Sequence, residues 1–509
     1  MKKASERLLS TAFLMVLVTL AAKALGMLRD ILLAADFGTG TEAVAYEAAS
    51  RLPITLFDFA LGGVVTAALI PIFNELLVKE GKQRAFDFAN RYFNLILILT
   101  VSISLFGVLF ASPLIRFLAP KIAEDAAALA VFLCRIMFPM IIFTGMAYCY
   151  VGILQSYAHY TLPAVMSLVS NLVMVGYFFT LCDRFGIFGL SAALVVGWFL
   201  QAAIQAPTAH KLGFYFKPAN PFSDPNIRRA MKMALPILIC SWLQPITNMI
   251  NTRFASGFEG GRAITMVGYA NRLYIMLVGI FSFVATNLLF PKFSRAQAEG
   301  DAEGAKKFAA SSVKVLSFLM IPLAVGIFLL AEPLTRLVYM RGEFTAHDAE
   351  MTASVLRLFV IGIPFMSANE VFTKLFFARQ SVRAPMLTSL ISIVFNVLTV
   401  TALVYTVGFD GIGIASAASI AVCALLNAAI LSKDGAIFTG RDGVYFVKIL
   451  LAAAVMGAAV YLCGQRLPLS ADVWRLLVLG GIGAAVYAVC ILCFFIPDIK
   501  SFLKNRGRS

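Results

Sequence analysis

Seven basic residues stand inside long apolar stretches: Lys23, Arg29, Arg51, Arg135, Arg272, Arg357 and Lys374. The segment LAAKALGMLRDILLAA, at 20–35, carries Lys23, Arg29 and Asp30 together. A cation at the centre of a spanning helix costs at least ~2.5–3.5 kcal/mol, so each of these needs a partner, a route to water or a ligand. Spacing separates them. Glu47–Arg51 and Glu370–Lys374 are one helical turn apart with the acid first, the favourable order for an ion pair. Arg135 and Arg357 lie near the ends of their stretches, where a long side chain can snorkel to the headgroups. Lys23 and Asp30 share a helix face but stand two turns apart, about 10 Å, too far to pair directly. Arg29 and Arg272 have no acid three or four residues away. More buried cations than buried acids calls for an anion or for water. The planar guanidinium fork matches two phosphate oxygens at once, so the expected cargo is anionic and phosphorylated. The expected cavity contacts are Lys23, Arg29, Asp30, Arg51 and Arg272. Asp58, Asn271, Arg135, Arg357, Glu370 and Lys374 form a secondary set.

Other chemistries are poorly supplied. The three histidines, His159, His210 and His347, form no ligand-spaced cluster. There is no GxxxxGK[ST] loop for ATP, no HExxH, no GxSxG and no DDxxD. Cys490 and Cys493 make a CxxC, but inside AVCILCFFIP, where small buried hydrophobes are the expected reading. No enzyme activity, metal or cofactor is expected. The formal charge of +15 would suggest nucleic acid in a soluble protein. Here 60% of the 509 residues are hydrophobic and 14% charged. Soluble domains have about 45–50% and about 25%, so the composition excludes that class and predicts an all-α polytopic membrane protein.

Fourteen helices would position the charges, at about 8–33, 45–76, 92–117, 127–155, 162–182, 187–209, 229–255, 264–290, 309–339, 351–377, 386–407, 412–432, 444–464 and 472–496. The start resembles a signal peptide, but its apolar run continues past LAA and reads as a retained first span. Lys and Arg concentrate in alternate loops, above all in the six-to-seven linker and the eight-to-nine loop. That bias predicts both termini on the cytoplasmic side.

The chain repeats itself. ASRL at 49–52 matches ANRL at 270–273, FASPLIRFL at 110–118 matches LAEPLTRLV at 330–338, and LQSYAHYTLPAVMSLVSN at 154–171 matches FFARQSVRAPMLTSLISI at 376–393. The offsets stay between 220 and 222 residues. Six helices per copy is an even number, so both copies have one orientation. The expected organisation is an N-lobe at 1–215, a C-lobe at 216–440 and a C-terminal helix pair with a basic tail at 441–509. The cationic residues then predict a hydrated cavity between the lobes.

Two stretches, LVYMRGEFTAHDAEMT (337–352) and KLFFARQSVRAPM (374–386), resemble signatures of the MurJ/MviN family of lipid II flippases. KALGMLRDILLAADFGTG (23–40), RLP (51–53) with LIPIF (69–73), and YANRLYIMLVG (269–279) resemble its first, second and eighth helices. The resemblance covers essentially the whole chain. It implies the fold of the multidrug/oligosaccharidyl-lipid/polysaccharide exporter superfamily, residence in the bacterial cytoplasmic membrane, and alternating access that carries undecaprenyl-linked peptidoglycan precursor outward. It further implies cavity arginines for the pyrophosphate-sugar head, a groove by the last two helices for the lipid tail, and contact with membrane lipids and the cell-wall synthesis machinery. Drive by membrane potential or a monovalent cation is implied in place of ATP. By position, Arg29 and Asp30 match the family's Arg-Asp pair and Arg272 its helix 8 arginine, while Lys23 stands where Arg is usual. Phe57 and Gly62 replace an Arg and a Glu of many members, with Asp58 present instead. The alternatives are an exporter of another undecaprenyl-linked oligosaccharide, a multidrug antiporter of the superfamily, a polyprenyl-phosphate enzyme and a scaffold. A cation antiporter needs acidic cavity residues, an enzyme needs Asp/His metal chemistry, and a scaffold has no use for Arg29 and Arg272.

Overall fold

The computed structural model describes residues 2–61, 64–284, 289, 292–293, 295–296, 299–433, 435–467 and 471–506. Among them there is helix and no strand. The first helices are α1 (Lys2–Phe37), α2 (Thr41–Ala60), α3 (Val64–Lys79), α4 (Lys82–Leu109), α5 (Ala111–Leu118), α6 (Glu124–Met137) and α7 (Met140–Ser156). Then come α8 (Thr161–Thr180), α9 (Cys182–Ala203), α10 (Ala206–Lys211), α11 (Pro225–Ser241), α12 (Leu243–Ala255) and α13 (Ala263–Val284). The chain continues with α14 (Ala302–Tyr339), α15 (Ala346–Ile361), α16 (Ile363–Ala378), α17 (Arg383–Thr406), α18 (Asp410–Leu431), α19 (Gly440–Arg466) and α20 (Asp472–Arg506).

Within the described residues, each of the fourteen expected segments falls on one helix or on consecutive helices; positions 62–63 of the second segment and 285–288 and 290 of the eighth lie outside them. Among the described residues, nine stretches are long and apolar enough to cross a membrane, and the pair α15–α16, bent by 44°, makes a tenth. The other four expected segments lie on α1, on α2 with α3, on α11 with α12, and on α13. Those helices hold Lys23, Arg29, Asp30, Arg51, Asp58 and Arg272.

By contacts the chain forms two compact units. One is Met1–Thr265 with Arg341–Phe344, and the other is Met266–Met340 with Thr345–Ser509. The repeat suggested divisions after 215 and after 440. The contact division falls later because α11 packs on α2 and α3, and α12 on α2 and α5. The last helix pair also joins the second unit. α19 and α20 pack on α14 around Ala452, Ala453, Met456 and Tyr487, and Tyr487 Oη donates to Phe318 O at 2.8 Å.

The repeat is visible in helix boundaries and in packing. α6 and α8 start at 124 and 161, and α15 and α17 start 222 residues later, at 346 and 383. In the first unit α6, α7 and α8 pack on α9; in the second α15, α16 and α17 pack on α18. The match extends to single backbone angles. The turn after α7 holds Ala158 at φ 60°, and the turn after α16 holds Gln380 at φ 55°, also 222 residues on. Both ends close with the same pair of hydrogen bonds: Ala158 N to Gln155 O and His159 N to Leu154 O, then Gln380 N to Phe377 O and Ser381 N to Phe376 O. This is the glycine-favouring helix stop, built here without glycine. A left-handed non-glycine residue costs about 1–2 kcal/mol, and glycine returns about 0.4–1 kcal/mol of that to the unfolded chain. Ala158→Gly and Gln380→Gly should therefore each stabilise the protein by about 0.5–1 kcal/mol. The thermal midpoint of the purified full chain reads this; a lowered midpoint would mean that the native side chains repay the strain.

The linker between α10 and α11 is strapped to α4. Phe214 is buried among Phe86, Phe93 and Tyr150. Lys217 N donates to Asn90 Oδ1 at 2.9 Å, and Asn94 Nδ2 donates to Lys217 O at 2.8 Å, so two side chains mimic a strand partner. Arg91 donates to Asn220 O and Ser223 Oγ. Arg84 grips both oxygens of Asp224, at 2.7 and 3.1 Å. Burial pushes the Asp224 carboxyl up, but the hydrogen bonds from Arg84 and from Asn226 outweigh it and hold the group below the usual carboxylate range. A depressed native pKa gives stability that is present above the unfolded value, about 3.9, and lost as pH falls through the folded value. Acid unfolding below about pH 4 should be shallower in Asp224→Asn than in wild type, read as the thermal midpoint against pH.

Candidate functional site

α1 lies along α8, and that packing places its charges. The Arg29 guanidinium donates Nε and NH2 to Asp30 Oδ1, at 3.0 and 2.8 Å, and NH1 to Asn171 Oδ1 on α8, at 3.1 Å. Asn171 Nδ2 in turn donates to Ala22 O at 3.1 Å, which fixes the direction of the amide. Asp30 is buried and Arg29 half-buried. Spacing left Arg29 without an acid, and the structure corrects this. The spacing rule concerns residues three or four apart, whose Cβ atoms are neighbours on a helix. The long Arg29 side chain instead folds back onto the adjacent Asp30, and a helix distant in sequence supplies Asn171. Among the described residues, three of the five N–H donors of Arg29 are engaged, which leaves two. Lys23, two turns earlier, is half-buried and forms no hydrogen bond or ion pair among the described residues.

On α2 the spacing argument holds. Arg51 NH2 meets Glu47 Oε1 at 2.5 Å, with both side chains largely shielded. Asp58, two turns further on, is half-buried and has no ion pair among the described residues. Its neighbour Phe57 is buried and stacks on Tyr148 with ring centroids 5.8 Å apart. Gly62 lies outside the described residues.

In the second unit, α13 carries Asn271 and Arg272. Asn271 is buried. The Arg272 guanidinium sits 5.1 Å from the ring centre of Tyr269, a cation–π contact. Tyr269 is fully buried, packs on Tyr339 at 4.8 Å, and its carbonyl accepts from Tyr339 Oη at 3.4 Å. The arginine therefore stands on a rigid aromatic base. Glu370 and Lys374 occupy successive turns of α16, both half-buried, but the ion pair their spacing suggests is not made: Lys374 forms no ion pair among the described residues.

The repeat-related pair Arg135 and Arg357 diverges. Arg357 meets Glu332 at 3.5 Å, and Glu332 also binds Arg336 at 2.7 Å. Arg135 is exposed. The signal was in the repeat itself: LAEP has Glu332 where FASP has Ser112, so only the second copy carries the acid. Arg357 is thus a structural ion pair and Arg135 a surface cation.

Sequence reasoning missed Asn171. It lies in VSN at the end of a repeated block, but a neutral amide gives no signal until α1 is seen against α8. Among the described residues no group of three His, Cys, Asp or Glu comes together as a metal site.

A family model described as lipid II flippase MurJ matches residues 33–477. The probable lipid II flippase MurJ of Rhizobium meliloti (strain 1021) is 29% identical over 490 residues, covering 92% of this chain and 90% of that one. The lipid II flippase MurJ of Burkholderia cenocepacia is 26% identical over 459 residues, covering 87% and 88%. Among solved structures, a lipid II flippase MurJ in an inward closed conformation superposes with a TM-score of 0.83 at 21% identity, covering 96% of this chain and all of that one. An inward-facing multidrug transporter of the MATE family superposes at 0.68 with 14% identity, covering 85% and 98%. The chain shares its fold with these two solved structures.

Proposed function

From the premise that the chain belongs to the lipid II flippase family MurJ, we propose that it carries lipid II across the bacterial cytoplasmic membrane by alternating access through a cationic cavity. One observation carries the assignment of the site. Arg29 is held by Asp30 and Asn171 and still has two N–H donors to offer. An arginine fixed in this way loses little freedom when it binds a phosphate, so the two remaining bonds count nearly in full.

In this reading the pyrophosphate head meets Arg29, Lys23, Arg51 and Arg272. Asp30 orients Arg29 and lowers the cost of leaving it charged when cargo is absent. Neutralisation by the bound head lets one side close, and the head leaves on the other while the polyprenyl tail stays in lipid. Alternating access needs two states whose balance the cargo shifts. The emptied site is positive again, and an inside-negative potential favours its return, by ~2.3 kcal/mol per elementary charge per 100 mV. The protein acts as a transporter, not an enzyme; coupling to a monovalent cation and docking with the cell-wall machinery belong to the same proposal. The bias of loop charges supports a topology with both termini in the cytoplasm.

The test is replacement. A bacterial host depleted of its own lipid II flippase should regain outer-leaflet lipid II when this chain is expressed. If a well-expressed wild type restores none, the cargo is another undecaprenyl-linked glycan, and the unusual Phe57–Asp58 segment is the first place to look.

A further inference from the structure

A second concentration of cations lies on α11, a helix that carries none of the residues proposed to touch cargo. Pro225, Arg228, Arg229, Lys232 and Met233 line an open cavity of about 390 Å³. Their spacing puts them on one face of the helix. Arg229 is steadied by Glu75 of α3, at 2.8 Å, and the same carboxylate holds Lys79 at 2.9 Å. The acid next to the cluster in sequence, Asp224, is taken up by Arg84 at 2.7 Å. Arg228 and Lys232 are exposed and form no ion pair among the described residues, and α11 itself contains no Asp or Glu.

The surroundings are those of a membrane boundary. The run LPILIC begins at Leu235, two residues beyond Met233, so the cationic turns sit at the aqueous end of an apolar helix. Met231 is 50% exposed and Phe222, just before the helix, is 72% exposed. Apolar side chains beside unpaired cations are what an interfacial segment presents to a leaflet: the former reach the acyl boundary and the latter the phosphates. A merely solvated basic face has no need of the exposed aromatic or of the apolar walls given by Pro225 and Met233.

We propose that this cavity binds the headgroup phosphate of an anionic glycerophospholipid, with Arg228 and Lys232 as its main contacts and Arg229 as a positioned third. A lipid held there would anchor α11 at a fixed depth beside the strapped linker. The site is separate from the cargo contacts, so its test is separate too.

Purified full-length protein in neutral detergent is titrated with a fluorescent-tailed phosphatidylglycerol, with the phosphatidylcholine analogue as neutral control. Each cation near an anionic headgroup is worth about five-fold in affinity, so Arg228→Ala/Lys232→Ala should weaken phosphatidylglycerol about 25-fold and leave phosphatidylcholine unchanged. Arg228→Lys/Lys232→Arg keeps both charges and should stay within about three-fold of wild type. Wild-type phosphatidylglycerol affinity in the alanine variant overturns the site. Displacement of the lipid by millimolar inorganic phosphate also overturns the lipid assignment, because it makes the cavity a site for the free ion.

Discussion

Arg29→Ala lowers delivery of lipid II to the outer leaflet by about a hundred-fold or more in the replacement assay. The size follows from the two N–H donors that Arg29 keeps free. Each charge-assisted bond to a phosphate oxygen is worth ~1.5–3 kcal/mol, and two of them exceed the ~2.7 kcal/mol that a hundred-fold loss requires. Stability has to be separated from this. Removing Arg29 alone takes from Asp30, only 6% exposed, the guanidinium it is paired with, and breaking a buried pair in that way costs ~3–5 kcal/mol. Arg29→Ala/Asp30→Asn removes both charges, so it should recover most of the thermal midpoint and none of the transport. Arg29→Lys keeps the charge without the fork and should retain under about a tenth of the activity. Asn171→Ala frees one more donor but loosens the guanidinium, so its expected cost is smaller, about ten-fold. Wild-type delivery by the charge-free double variant would remove Arg29 from the cargo path.

The parts of this molecule that could be read from its sequence are those set by local rules. Hydrophobic length placed the helical segments seen among the described residues, and a constant offset exposed a repeat that survives in the turn angles at Ala158 and Gln380. The one-turn spacing of Glu47 and Arg51 gave a pair that forms. What escaped depends on contacts distant in sequence. Arg29 reads as unpaired in the sequence because the spacing rule compares positions one turn apart, whereas a side chain of seven heavy atoms can reach an adjacent carboxylate and an amide 142 residues away. Asn90 and Asn94 carry no signal in the sequence, yet they bind the backbone of Lys217 and tie the linker down. The division after Thr265 was also hidden, since a repeat in sequence says which helices correspond and not which neighbours α11 and α12 choose.

The signature RGEF shows what a family motif holds physically, and it supports the second large effect. Arg341–Phe344 belongs by its contacts to the first unit, although helices of the second flank it. Glu343 N donates to Ala35 O at the end of α1, at 2.8 Å. Gly342, at φ +55°, has Ala35 O only 2.1 Å from where a Cβ would stand. Gly38, at φ +53°, has Glu343 O at 2.5 Å from that point. In the adjoining turn, Thr39 Oγ1 accepts from Arg262 Nε and NH2, at 2.9 and 2.8 Å. The clashing atoms at both glycines are backbone, so no rotamer change relieves them. Gly342→Ala therefore adds overpacking of ~1–3 kcal/mol to a left-handed strain of ~1–2 kcal/mol. The expected loss is about 2–5 kcal/mol of stability for the docked segment, with Gly38→Ala close behind. Gly408→Ala separates the two costs: its φ is +74° but nothing lies within 4 Å of a new Cβ, so only the strain should appear. Hydrogen exchange at the Glu343 amide gives the direct reading. In Gly342→Ala that amide should exchange at least about thirty-fold faster than in wild type, and in Gly408→Ala at the wild-type rate. Equal protection in all three proteins would mean that the segment is held by something other than the close approach of these two glycines.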